Sequence, residues 1–147
     1  MKVVVQRVTQ ASVSVEGKLI SQIKKGYLLL VGFHHEDTMD TVTYLAKKVA
    51  KLRVFSDSSG KMNLSILDIA GDVLSVSQFT LYGDTSDGNR PSFTMSMEPV
   101  MANTLYQAFN HELEKLLNKQ IQTGIFQAEM QVSLINDGPV TILLERV

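Results

Sequence analysis

Cysteine is absent from the 147-residue sequence, and no apolar run approaches the length of a membrane-spanning helix. Without thiols the protein has no disulfide, no cysteine nucleophile and no thiolate metal ligand, which is typical of a reducing compartment. The most apolar run, YLLLVGF, is far shorter than the ~20 residues that cross a bilayer. The opening MKVVVQRVTQ lacks the apolar core of a secretory signal. We therefore predict a cytoplasmic protein without a membrane partner.

Several motifs of cofactor and metal binding are also missing. The chain has no GxGxxG, GxxxxGK or GxSxG pattern, which argues against dinucleotide, nucleotide-triphosphate and α/β-hydrolase sites. There is no HExxH spacing, and the adjacent His34 and His35 would point to opposite faces if they lay in a strand. His111 is most simply a helix residue. We predict no cofactor and no metal site, because zinc sites need three or four convergent ligands.

Neither sign of charge dominates the sequence. The formal net charge is −1 and the pI is about 6.3, so a large non-specific nucleic-acid surface is not predicted. A small RNA contact remains open, and its best candidate is the group Lys47, Lys48, Lys51 and Arg53. On charge alone, the favoured interpretation of this group is a solvated helix face.

The rest of the chain alternates between two clear periodicities. Short β-branched runs in residues 2–33, namely KVVVQRV, ASVSV, LISQI and YLLLVGF, predict antiparallel strands. Apolar spacings of three and four predict two amphipathic helices, one after an Asp37-Thr38 cap and one beginning near Pro99. The order predicts a single α+β domain over residues 1–147, with a curled, antiparallel-rich β-sheet or barrel and two main amphipathic helices.

The run DVLSVSQFTLYG predicts a long strand that ends at Gly83. Strand alternation within it would place Ser77 and Phe79 on one face and Gln78 and Thr80 on the other. Polar side chains on one face of an apolar strand are unusual and indicate a site. The alternative, which is favoured without other evidence, is a strand end whose hydroxyls bond to neighbouring backbone.

The run SLINDGPVTILLE reads as two strands broken by a turn at Gly138-Pro139. Hairpin turns prefer Asn-Gly or Asp-Gly. Proline removes a donor from the ladder and fixes one backbone angle, so its presence here costs pairing. A reason other than the turn is therefore needed.

Four motifs in order supply that reason: VVQRVTQASVSVEG, VFSDSSGKMNLS, VSQFTLYGDTSDGNRPSF and QTGIFQAEMQVSLINDGPVT. The chain carrying them closely resembles the D-aminoacyl-tRNA deacylase family over essentially its whole length. The resemblance implies a hydrolase that cleaves the ester between a D-amino acid and the terminal ribose of tRNA. It also implies a homodimer whose partner molecule is the 3′ end of an aminoacyl-tRNA.

The resemblance further implies the site residues. It assigns the catalytic segment to Ser77, Gln78, Phe79 and Thr80, and chiral selection to Gly138 and Pro139. The Gly-Pro bond is implied to be cis and to enter the active site of the other subunit, where its carbonyl oxygens form a wall that collides with L-side chains. Arg7 is implied to donate to the carbonyl region of this pair and hold it in place.

The mechanism and two rival functions stay open. An aminoacyl ester is already activated, so positioning, an oxyanion hole and a water can suffice; the main-chain amides of 78–80 are the candidate donors. Thr80 could act as a nucleophile, or the ribose 2′-hydroxyl could assist. A wall that rejects side chains should accept glycine, so glycyl-tRNA is a predicted substrate. The rivals are a non-catalytic dimeric nucleic-acid-binding module and a small-molecule esterase or peptidase acting on D-residues.

Overall fold

The computed structural model describes residues 1–147. In chain order the elements are β1 (Lys2–Val15), β2 (Lys18–Ile23), β3 (Gly26–Gly32), α1 (Met39–Lys51), β4 (Arg53–Ser56), β5 (Met62–Ser65), β6 (Asp72–Ser77), a 3₁₀ helix (Phe79–Tyr82), α2 (Pro99–Leu117), β7 (Gln122–Thr123) and β8 (Gln131–Glu145). Neither α-helix combines the length and apolarity that crossing a bilayer requires.

The sheet curls into a nearly closed barrel around β1. One edge of β1 pairs antiparallel with β3 and then with β2, and its other edge pairs antiparallel with β8 along most of its length. Strands β6 and β7 continue from β3 in parallel. The strand order is therefore β2-β1-β3-β6-β7, and its two end strands meet where Ser21 Oγ of β2 donates to the Thr123 carbonyl oxygen of β7 at 2.6 Å. The predicted α+β domain with a curled, antiparallel-rich sheet is confirmed.

The two predicted amphipathic helices pack against each other and against one face of the sheet. Pro99 occupies the first turn of α2, where its missing N–H costs nothing, and the Glu98 carboxylate accepts from the amides of Val100 and Met101. Strand β3 is apolar on both faces because Tyr27 and Leu29 face the helices while Leu28 faces a second, smaller core inside the barrel. Its continuous apolar run reflects this double burial.

Strand β1 corrects one prediction. The runs KVVVQRV and ASVSV are not separate strands but one strand of 14 residues. Val5 faces the larger core, and Val8 and Ala11 both face the smaller one. Because Val8 and Ala11 are three residues apart, the regular alternation of the strand is interrupted between them. The register with β8 shifts between Gln6 and Val8 and again after Val8. These bulges keep one long strand buried on both halves and re-aim the side chains between them.

Two further strand predictions are wrong in extent. The predicted strand ending at Gly83 stops at Ser77, where the 3₁₀ helix takes over. The two strands expected around Gly138-Pro139 are one strand, β8, because β1 pairs with it on both sides of the Gly-Pro pair and the register shift absorbs the interruption.

Candidate functional site

A cleft of about 670 Å³ opens where β3 and β6 end. Its walls come from the strand ends, the start of the 3₁₀ helix, the N-terminus of α2 and the chain around residues 126–132. Most of its lining is apolar, with Ser77, Gln78 and Glu98 among the polar exceptions. A cavity of this size and character is suited to a small organic group held by a few polar contacts.

The segment Ser77–Thr80 enters the cleft as a turn rather than a strand. Because β6 ends at Ser77 and the 3₁₀ helix begins at Phe79, the predicted strand alternation does not continue through this segment, although the Gln78 and Thr80 side chains do lie together. Ser77, Gln78 and Phe79 line the cleft, while Thr80 is exposed outside the lining and connects to it through a hydrogen bond from Gln78 Nε2 to Thr80 Oγ1.

Gly32 allows the turn to lie against β3, and sequence reasoning passed over it. A Cβ at this position would lie 2.9 Å from the Gln78 carbonyl oxygen and 3.1 Å from Leu81 Cβ. Any side chain there would displace the 3₁₀ helix. The available signal was a glycine at the end of an otherwise fully apolar strand, a position that often marks a close backbone approach.

The amides of the turn are not equivalent. The Gln78 N–H donates to the Val31 carbonyl oxygen at 2.8 Å, so it is removed from the set of candidate oxyanion donors. The Phe79 and Thr80 amides donate to no protein acceptor. Two neighbouring, unengaged N–H groups at the start of a helical turn are suited to an oxygen that gains negative charge.

No base is in place to activate the Thr80 hydroxyl. Its hydrogen-bond partner is the Gln78 carboxamide, which is neutral and does not take up a proton near pH 7. A threonine hydroxyl needs an adjacent base to become a strong nucleophile. The arrangement favours orientation of a bound group over covalent attack.

The histidine pair lies beside the far end of the 3₁₀ helix. The pair does not lie in a strand, which was the condition for opposite faces, and the rings of His34 and His35 lie 4.2 Å apart between centroids. The chain has already left β3 and turns, with the His34 N–H donating to Asp37 Oδ2 at 2.6 Å. Burial, with smaller effects from Asp37 and Glu145, raises the pKa of nearby Tyr82 above its ordinary value, so its phenol is neutral at pH 7. No three potential ligands converge as a metal site.

The second predicted group of residues forms a tightly held loop in the middle of β8. We call residues 137–140 the Gly-Pro loop; its Gly138-Pro139 bond is cis. Arg7 Nε donates to the Asp137 carbonyl oxygen at 2.9 Å, and Arg7 Nη1 donates to the Val54 carbonyl oxygen at 2.5 Å. Gly138 has φ +145°, and a Cβ there would lie 2.8 Å from the Val140 nitrogen. Only glycine fits this loop without distortion.

Asn136 closes the Gly-Pro loop and was missed by sequence reasoning. Its side-chain oxygen accepts from the Val140 N–H at 2.7 Å, and its Nδ2 donates to the Val140 carbonyl oxygen at 3.1 Å. Gly138 and Pro139 themselves are exposed. Asparagine is a common turn residue because its side chain can bond to backbone a few residues away, which was the available signal.

The Gly-Pro loop and the cleft lie apart in one chain. The loop lies opposite Arg7, which pairs with Tyr27 on β3, whereas Ser77 pairs with Val31 four residues further along that strand. Four residues of strand span about 13 Å, and β1 and β3 separate β8 from β6. None of the loop residues lines the cleft. A single chain therefore does not bring the two predicted groups together.

The chain was compared with known families and structures. The family model described as D-Tyr-tRNA(Tyr) deacylase matches residues 4–145. A D-aminoacyl-tRNA deacylase from Exiguobacterium sp. (strain ATCC BAA-1283 / AT1b) is 56% identical over 146 residues, which cover 99% of each chain. The solved c-Myc DNA Unwinding Element Binding Protein superposes with a TM-score of 0.95 at 44% identity, covering 100% of this chain and 99% of that one. A probable eukaryotic D-amino acid tRNA deacylase shares the fold, with a TM-score of 0.84 at 15% identity and 97% coverage of both chains.

Proposed function

The chain belongs to the D-Tyr-tRNA(Tyr) deacylase family, and we propose that it removes D-amino acids and glycine from tRNA as a homodimer with two shared active sites. It is a D-aminoacyl-tRNA deacylase, an enzyme that hydrolyses a carboxylic ester. The ester joins the amino acid to the terminal ribose of tRNA, and the products are free tRNA and the amino acid. Membership in this family favours a deacylase over the rival function, a small-molecule esterase or peptidase acting on D-residues.

The observation that carries the shared site is the distance between the Gly-Pro loop and the cleft of the same chain. The loop is rigidly held, exposed and remote from its own cleft. Strand β8 has 15 residues and pairs only with β1, so its outer edge has no strand partner within the chain. Ile135 and Leu143 are exposed on this strand, at 52% and 56%. These features support a dimer in which each loop enters the cleft of its partner.

In this arrangement the Gly-Pro loop acts as a wall across the cleft. Its backbone is fixed by Arg7 and Asn136, and a Cβ at Gly138 would collide with Val140, so only glycine keeps this shape. An L-side chain would point into the wall, while a D-side chain would point away. Selection by collision imposes little requirement on the identity of the side chain. Glycine has nothing to collide, so glycyl-tRNA is also a substrate.

Hydrolysis then needs positioning more than strong acid–base groups. A water oxygen adds to the ester carbonyl carbon, and the carbonyl oxygen gains negative charge while the Phe79 and Thr80 amides donate to it. The tetrahedral intermediate collapses with loss of the ribose oxygen, which takes up the proton that the water released. The vicinal ribose hydroxyl of the substrate can relay this proton. Gln78 holds the Thr80 hydroxyl in place beside the turn.

Initial rates on D-alanyl-, glycyl- and L-alanyl-tRNA at equal concentration test the proposal, with sedimentation of the same sample. We expect cleavage of the first two esters only and a dimer in solution. Rejecting glycine would need strong binding of the D-methyl group, which is worth only about 1–3 kcal/mol. Inertness towards glycyl-tRNA, appreciable cleavage of the L-ester, or a fully active monomer would contradict the model.

A non-catalytic nucleic-acid-binding module is the second candidate, because one solved relative is named for binding a DNA unwinding element. The net charge of −1 argues against a large nucleic-acid surface. Binding of duplex and unwound DNA without any ester hydrolysis would favour this candidate. Hydrolysis of D-alanyl-tRNA at nanomolar enzyme would exclude a purely binding role.

A further inference from the structure

A cluster of positive charge on α1 and β4 takes no part in the proposed chemistry. The segment 41–56 contains no aspartate or glutamate. Its cations, here called the basic patch, are Lys47, Lys48, Lys51 and Arg53, all exposed. None of them forms an ion pair with a carboxylate. Four unpaired cations within seven residues are unusual in a chain whose net charge is −1, so the patch is available to an anionic partner.

The patch has a defined shape. Its cations surround a depression of about 420 Å³, together with Tyr44 and Leu52. Arg53 Nε donates to the Asn63 carbonyl oxygen at 2.9 Å, which fixes the guanidinium and leaves its two terminal nitrogens without protein acceptors. The Arg146 guanidinium lies 4.0 Å from the centroid of the Tyr44 ring and adds a further cation at the same side. Ammonium and guanidinium groups around a shallow surface suit the phosphates of a nucleic-acid backbone.

The patch is physically tied to the Gly-Pro loop. Arg7 donates both to the carbonyl oxygen of Val54, the residue after Arg53, and to the carbonyl oxygen of Asp137 at the start of the loop. One guanidinium therefore joins the end of the patch to the loop. If the loop enters the partner's cleft, the end of the patch at Arg53 is carried toward that cleft with it.

We propose that the basic patch binds backbone phosphates of the tRNA acceptor end whose ester lies in the partner's cleft. The inference rests on the proposed function, because it needs the Gly-Pro loop to enter that cleft. Each tRNA then contacts both subunits: one supplies the amides at the ester, and the other supplies the wall and the phosphate contacts. Phosphate neutralisation contributes affinity through counterion release and places the 3′ end without reading its sequence.

Two esters separate this role from the chemistry. D-alanyl-tRNA carries the acceptor phosphates, whereas D-alanyl-adenosine carries the same ester and no phosphate. In a dimer with Lys47→Ala, Lys48→Ala and Lys51→Ala, we expect KM for the tRNA to rise roughly tenfold or more at low salt with kcat unchanged. The rate on D-alanyl-adenosine should stay at the native value. The slope of log kcat/KM against log salt should fall by about one for each lysine that contacts a phosphate.

The matched control replaces three exposed lysines outside α1 and β4, Lys18, Lys61 and Lys115, and should keep the native KM and salt slope. A patch variant with native KM and native salt slope on the tRNA overturns the inference. Equal loss on both esters also overturns it, because the patch would then support the fold or the dimer instead of the phosphates. Failure of the native dimer on both esters would refute the proposed function itself.

Discussion

Removing the Arg7 side chain should weaken chiral selection more than it weakens catalysis. Arg7 is largely buried and holds the Gly-Pro loop through a 2.9 Å bond to the Asp137 carbonyl oxygen. A hydrogen bond from a charged donor contributes about 2 kcal/mol, and 1.36 kcal/mol corresponds to a tenfold change. If an L-side chain enters only by displacing the wall, Arg7→Ala should raise L-ester cleavage relative to D-ester cleavage by roughly thirtyfold.

The assay is the ratio of kcat/KM for D-alanyl- and L-alanyl-tRNA. Arg7→Lys should give an intermediate ratio, because an ammonium keeps the charge but does not match the fork that joins Asp137 and Val54. Leu113→Ala is the control for general destabilisation, since Leu113 is fully buried in α2. An unchanged ratio in Arg7→Ala, with the dimer intact, would refute the reasoning. An equal shift in Leu113→Ala would refute it as well.

Three further predictions concern the turn, the hydroxyl and a surface ion pair. Gly32→Ala should lower kcat by about tenfold, because overpacking against the Gln78 carbonyl displaces the neighbouring amides; steady-state kinetics with native kcat would contradict this. Thr80→Ala should keep substantial activity, while a 2′-deoxy terminal adenosine should slow the native enzyme; a dead variant with normal turnover of the deoxy substrate would indicate covalent catalysis. Lys119 lowers the pKa of Asp72 below 3.8 through a hydrogen bond. The ion pair therefore stabilises the fold by up to ~1 kcal/mol above pH 3.8, and this contribution is lost as pH falls through the lower folded-state pKa of Asp72. In urea unfolding, Lys119→Ala should be less stable than the native protein at pH 7 and equally stable in strong acid.

Local pattern was sufficient for the elements whose burial is regular. The apolar spacing of α1 and the doubly buried run of β3 predicted both elements, because each records which side chains leave water. The turn at Phe79 was not predictable in this way, since the apolar pattern of β6 continues through Leu81. Strand β6 ends at Ser77, where the Gln78 backbone packs closely against Gly32 of β3. This contact joins residues that are distant in sequence.

The candidate site divides along the same line. The residues of the 77–80 segment and Gly138-Pro139 were identified by resemblance, and their roles stay predictions. The Gln78 amide donates to the Val31 carbonyl oxygen, which lies on a strand distant in sequence. The same is true of the bonds that Arg7 donates to Val54 and Asp137. No local pattern encodes which of the three consecutive amides is engaged and which two are left without an acceptor.

The pairing of β1 with β8 has a consequence for how the chain is made. Val3 pairs with Leu144, so β1 leaves the ribosome long before the strand that covers its second edge. At about 5–20 residues per second, β1 waits on the order of 10 s for β8. During that time β1 can pair with β2 and β3, which follow it directly, while one edge stays open. The nascent chain therefore carries an exposed edge of β1 while residues 16–130 are made. Completion of the sheet depends on a contact of high sequence separation, which forms slowly.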